Sequence, residues 1–65
     1  MSRGYLPHTL LTEKEVAELT KMSVHTLRSH RHYRKGFPYV KLGTSVRYRM
    51  EDIQKYLEMH MVKNN

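Results

Sequence analysis

The sequence predicts a small α+β domain whose elements run in the order α-α-β-β-α. Three observations carry that reading. Two short segments with apolar residues at helical spacing, each opened by a hydroxyl residue, are joined by Lys21-Met22-Ser23. Gly36-Phe37-Pro38 then stops the second of them, and two alternating segments flank Gly43-Thr44-Ser45. A last stripe, Ile53, Tyr56 and Leu57, returns to the helical period.

Length bounds the answer further. The chain has 65 residues, one domain at most, and a domain of ~60 residues buries only about 60% of the surface its unfolded chain exposes. There is no cysteine, so neither a disulfide framework nor a Cys-ligated metal is expected to add stability. Met1–Leu10 holds one arginine, no apolar run and no small-residue cleavage site. No stretch approaches the ~18 apolar residues of a membrane span. A cytoplasmic protein without membrane attachment is the expectation.

Each element has a local cause. Residues 1–9, with Gly4 and Pro7, read as an irregular arm, and Leu10-Leu11 is the first apolar anchor. Thr12-Glu13-Lys14-Glu15 has the form of a capping box, so a first helix is expected over Glu13 to about Thr20, with Val16, Ala17 and Leu19 making apolar contacts. Ser23 is an N-cap for a second helix from Val24 to about Arg34, which Gly36 and Pro38 end. A three-residue connection with the small Ala17 at the crossing is the pattern of a helix-turn-helix. The turn glycine is replaced by Lys21, which costs roughly 1 kcal/mol if it takes positive φ. Tyr39–Leu42 and Val46–Arg49 form a β-hairpin. With a three-residue loop, Val40, Leu42, Val46 and Tyr48 share one face, and Tyr39, Lys41, Arg47 and Arg49 the other. A third helix is expected from Met50 or Glu51 to Met61, its inward stripe Ile53, Tyr56, Leu57 and His60 or Met61, with Glu51 and Asp52 against its N-terminal dipole. Residues 62–65 read as a frayed tail, and residues 10–61 as the domain, a winged helix-turn-helix.

Charge points to the partner. Twelve Lys and Arg against six Asp and Glu give +6 and a pI of about 9.9. Between Glu18 and Glu51 there is no acidic residue, while Lys21, Arg28, Arg31, Arg34, Lys35, Lys41, Arg47 and Arg49 all fall there. One sign of charge over half of so small a domain steers it to a polyanion, here double-stranded DNA. The bland alternative is a solvated basic face. An acidic membrane surface is disfavoured, because no segment joins a broad apolar face to a basic one.

Several stretches together resemble the excisionase family, small phage and mobile-element proteins within the wider MerR-type winged-helix group. They are Leu11–Leu19, Met22–Arg28, Val40–Gly43, Val46–Arg49 and Asp52-Ile53. The resemblance covers about residues 10–58. It implies a recombination directionality factor that binds attachment-site DNA at adjacent repeats, bends it, and helps an integrase excise its element from the bacterial host. Related small proteins of the same fold regulate prophage transcription instead, and that alternative stands. MerR-type regulators dimerise through a long helix after the DNA-binding domain. The sequence stops soon after the third helix, so a monomer in solution that associates side by side on DNA is expected. Three departures from the family pattern are Lys21 in the turn, His30 and Arg31 where relatives usually carry a core residue, and Met50 where Ser or Thr commonly caps the third helix.

On a helical wheel Val24 and Leu27 mark the core side of the second helix, with His25, Thr26, Ser29, His32 and Tyr33 opposite and Arg28 at the flank. His25, Thr26 and Ser29, near the N-terminus that Ser23 caps, are expected to meet base edges, though less selectively than a bidentate Arg–guanine pair. Ser23 and His32 complete the expected DNA-facing set. Arg28 matches the arginine of the MerR-type Thr-Ile-Arg motif, which implies a phosphate clamp or a guanine contact. Lys41, Thr44, Ser45, Arg47 and Arg49 form the wing's expected contact with the backbone or minor groove. Thr12, at the start of the first helix, is both cap and candidate phosphate contact.

Other chemistries fare worse. His25 and His30, like His30 and His32, fall on different faces of a helix, so no three ligands converge on a metal. His30 reads as a half-buried filler. Glu51 and Asp52 are the one adjacent carboxylate pair, explained by a helix start, and no nucleophile–base–orienter set exists, so neither an enzyme nor a cofactor is expected. A protein-docking role is the remaining class, through Tyr56, Met59 and Met61, which is also where an integrase contact would fall.

Overall fold

The computed structural model describes residues 5–63. The elements are β1 (Leu10–Leu11), α1 (Glu13–Thr20), α2 (Val24–His32), β2 (Val40–Leu42), β3 (Ser45–Arg49) and α3 (Met50–Met59). The expected order is therefore corrected at its start. Leu10-Leu11 forms a short strand, and one antiparallel three-stranded sheet has β3 at its centre, in the order β1-β3-β2. Such a pairing is between distant residues, so no local pattern announces it.

Helix starts follow the local chemistry. Thr12 Oγ1 accepts from the Glu15 amide at 3.1 Å, and the Thr12 amide donates to Glu15 Oε1 at 2.8 Å. Two of the amides that α1 cannot pair internally are thereby satisfied. Ser23 Oγ accepts from the Thr26 amide at 3.0 Å and opens α2. Lys21 closes α1 in the left-handed region, at φ 62 and ψ 24.

The end of α2 differs from expectation. The helix stops at His32, two residues before Arg34, and the left-handed residue there is Arg34 at φ 55. The Arg34 amide donates to the Arg31 carbonyl and the Lys35 amide to the His30 carbonyl, at 3.1 and 2.8 Å. That pair of bonds is a Schellman motif with arginine in the place glycine usually takes. Gly36, at φ +84, serves a different need: a Cβ there would lie 2.8 Å from His30 Nδ1 and 2.9 Å from His30 Cβ. His30 is half-buried over that glycine.

The hairpin register is also corrected. Val40 pairs with Arg47, Lys41 with Val46 and Leu42 with Ser45, across a two-residue turn at Gly43-Thr44. Gly43, first in that turn, sits at φ +64, which glycine adopts without a Cβ clash. Directly opposed residues share a face. Lys41 therefore lies on the Val46 and Tyr48 side, while Val40 and Leu42 share the Arg47 and Arg49 side. A loop one residue shorter than expected moves every β2 side chain to the opposite face.

The core gathers Leu11, Val16, Leu27, Phe37, Tyr48, Met50 and Ile53, with Tyr5, Ala17, Met22, Val46 and Tyr56 packed against it. Phe37, whose neighbours Gly36 and Pro38 read as a helix stop, is thus a core residue, its ring centre 4.6 Å from that of Tyr56 and the two rings tilted by 53°. In α3 the inward stripe is Met50, Ile53 and Tyr56. Leu57 and Met61 are 47% and 62% exposed, and His60 is exposed too, because the helix ends at Met59 and no element among the described residues covers that side. Within the expected arm, Pro7 and Thr9 are held in place. Their carbonyls accept from the Glu51 and Met50 amides, both at 3.0 Å. Backbone carbonyls thus do for α3 what Ser or Thr does elsewhere, which explains how Met50 is tolerated there. The expected arm at residues 1–4 and the last two residues of the expected tail lie outside the described residues.

Candidate nucleic-acid interface

The start of α1, the exposed flank of α2 and the tip of the β2–β3 hairpin border one open groove. Thr12, Glu13 and Lys14 line it from α1, Arg28 and Arg31 from α2, and Thr44, Ser45, Val46 and Arg47 from the hairpin. Of the residues expected to face DNA, this groove brings together Thr12, Arg28, Thr44, Ser45 and Arg47. Ser23, His25, Thr26, Ser29, His32, Lys41 and Arg49 do not line it.

Those seven have distinct surroundings. His25 and His32 are exposed on the outer face of α2, and Ser29 is half-buried between them. The His32 ring meets Tyr33 edge to face at 4.9 Å. Ser23 and Thr26 are engaged with each other, since Ser23 Oγ also donates to Thr26 Oγ1 at 2.9 Å. Arg49 holds Asp52 through Nε at 2.8 Å and Nη2 at 3.2 Å, tying the end of β3 to the first turn of α3. Lys41 is exposed on the opposite strand face from Arg47.

Glu13 organises the groove. Arg28 donates to its carboxylate from Nε, at 3.2 and 3.1 Å, and from Nη2 at 2.6 Å. Arg31 donates to it from Nη2 at 3.2 Å, and to the Tyr48 hydroxyl from Nη1 at 2.7 Å. The Arg31 guanidinium also lies 5.8 Å from the centre of the Tyr39 ring, within cation–π range. The hydrogen bonds from Arg28 hold the Glu13 carboxyl below the ordinary glutamate range, against its partial burial, with Arg31 adding to the effect. Burial works against the charge on Arg31, but the bonds to Tyr48 and Glu13 outweigh it, and its pKa is raised.

Glu13, Lys14 and Arg31 belong to the groove although sequence reasoning did not assign them to a site. Arg28 and Arg31 are three apart and so share a helical flank. The stretch between Glu18 and Glu51 lacks any acid, so a counter-ion for the pair had to come from outside it. That was the signal available for Glu13. Among the described residues, no three His, Cys, Asp or Glu side chains gather as a metal site, and no helix is long and apolar enough to cross a membrane.

Three helices, the first two joined by a tight turn, and a three-stranded antiparallel sheet make a small domain compatible with a winged helix-turn-helix. The chain belongs to the helix-turn-helix domain family, whose model matches residues 10–61. It is a DNA-binding family that includes excisionase-like proteins. Comparison with curated proteins finds no match, and comparison with solved structures finds none. The fold and the family point to sequence-specific DNA binding.

Proposed function

We propose that this protein is an excisionase of a phage or mobile element, acting on DNA in the cytoplasm of a bacterial host. It binds adjacent repeats of attachment-site DNA cooperatively, as a monomer in solution that associates side by side on the duplex. It bends that DNA and so directs the cognate integrase to excise. The observation that carries the DNA-binding part is the groove between α2 and the wing, which Lys14, Arg28, Arg31 and Arg47 line together with one carboxylate. The excision part rests on the resemblance of Leu11–Leu19, Met22–Arg28 and Val46–Arg49 to excisionases.

In this reading α2 enters the major groove with His25, Ser29 and His32 toward base edges and Arg28 at the flank. Ser23 and Thr26 set the helix start. Thr44, Ser45 and Arg47 meet the backbone from the wing, with Thr12 at the start of α1 across the same groove. Lys41 and Arg49 contribute to the long-range field. The test is a footprint with bend analysis across the element's attachment region and its nearby promoters. Phased protection of adjacent repeats beside the integrase sites, with bending, is the expected result. Protection confined to a promoter operator would make the protein a transcriptional regulator with the same DNA-binding mode.

A further inference from the structure

The one carboxylate in the groove sits where an anion would be bound. Glu13 is paired with Arg28 and Arg31, and these two partners are held very differently. The Arg31 side chain is 17% exposed and is anchored on the hydroxyl of Tyr48, a core residue. The Arg28 side chain is 63% exposed, and among the described residues the side-chain hydrogen bonds it makes all go to Glu13. One guanidinium is a fixture, then, and the other is an arm held by one acid. A carboxylate and a phosphate offer an arginine fork the same paired oxygens.

We propose that Glu13 is an internal stand-in for a backbone phosphate, which the duplex displaces from Arg28 on binding, so that Glu13 sets how tightly the groove holds DNA. The proposal rests on the DNA-binding reading above. Arg31 stays on Tyr48 and Glu13 throughout, while Arg28 exchanges one anion for another. Because Arg28 arrives already neutralised, its contact with a phosphate adds little net charge compensation, and the remaining Glu13 carboxylate repels the backbone. Affinity for DNA of any sequence is lowered as a result, and binding depends more on the exposed face of α2.

The experiment compares wild type, Glu13→Gln, Arg28→Ala and the double variant on a random-sequence duplex of about 20 base pairs, over ~50 to ~200 mM salt. Glu13→Gln should tighten binding about tenfold at the low-salt end, the size expected for removing one charge at close range. Its slope of log affinity against log salt should steepen by about 0.9, the increment for one more phosphate neutralised. Arg28→Ala should erase that gain, and should weaken binding more in the Glu13→Gln background than in wild type. Equal or weaker binding by a folded Glu13→Gln variant, with an unchanged slope, would overturn the proposal and leave Glu13 as a brace between α1 and α2. If that variant does not fold, the wild-type protein still decides. The Arg28 Nε–H resonance should shift when the same duplex is added, while that of Arg31 stays, and a static Arg28 signal would overturn the proposal. A wild-type protein that binds no duplex would fail the DNA-binding reading itself, a result distinct from failure of the Glu13 variant to tighten.

Discussion

The central strand β3 leads two lives along its five residues. At its C-terminal end Tyr48 and Arg49 pair with Leu11 and Leu10. There Tyr48 and Leu11 are fully enclosed, and Arg49 is tied to Asp52. At its N-terminal end Ser45, Val46 and Arg47 pair only with β2, and the turn beyond them is exposed. One end holds the domain together and the other reaches out from it. In a chain this small the two tasks are separated by two residues, so substitutions only a few positions apart should have effects of different kinds.

The largest expected effect is at the closed end. Tyr48→Ala should cost about 3–5 kcal/mol in urea unfolding, a large share of the roughly 3–10 kcal/mol that a chain of this length commands. Tyr48→Phe keeps the ring and removes only the hydroxyl that accepts from Arg31, so about 1 kcal/mol is expected. A Tyr48→Ala loss no larger than that of Tyr48→Phe would break the contrast.

The two glycines sharpen it. Gly36→Ala combines positive φ with a collision against His30, and about 1–3 kcal/mol is expected. Gly43→Ala meets open space and should cost about 1 kcal/mol, from backbone strain alone. Thermal unfolding of the pair, side by side, measures how much of the difference is the His30 contact.

Arginines two residues apart on the same strand face should separate as well. Arg47→Ala should shift stability by no more than about 0.5 kcal/mol. It should weaken binding to specific and random duplexes alike and flatten the salt slope by about 0.9. Arg49→Ala should leave the slope nearly unchanged, because Arg49 is spent on Asp52. Equal losses of slope in the two variants would assign both ends of β3 to DNA.

The smallest effect is a pH dependence. A carboxyl whose folded pKa is depressed contributes stability that is fully present above its unfolded value and lost as pH falls through the folded one. Glu13 is such a group, chiefly through Arg28. The stability difference between wild type and Glu13→Gln should hold at neutral pH and shrink below about pH 4.3. Urea midpoints collected down to pH 3 would show it.

What the sequence disclosed and what it hid divide along the same physical line. The caps at Thr12 and Ser23 are interactions within four residues and were legible, whereas positive φ at Lys21 was left as a condition of the tight turn. The hairpin was legible as a hairpin, but its register turned on one residue of loop, and the alternation of Val40, Leu42, Val46 and Tyr48 suits either count. The stripe on α3 was read correctly as far as Tyr56. Beyond it, periodicity alone does not tell whether any element covers Leu57 and Met61. The capping of α3 by the carbonyls of Pro7 and Thr9 leaves no trace in side-chain pattern. In the groove, Arg28 and Arg47 were expected from the sequence, and Arg31 was not. Nor was Glu13, fifteen residues from Arg28 and eighteen from Arg31, because only the crossing of α1 over α2 brings them together.

The central claim is that DNA lies against α2 and the wing tip, away from α3. Backbone amide shifts of the protein, followed while a duplex is titrated in at low salt, test it most directly. The account predicts movement at His25–His32, at Gly43–Arg47 and at Thr12–Lys14, with Gln54–Met59 unmoved. Shifts concentrated on Tyr56–Met61, with α2 and the wing still, would contradict it and make α3 the binding surface.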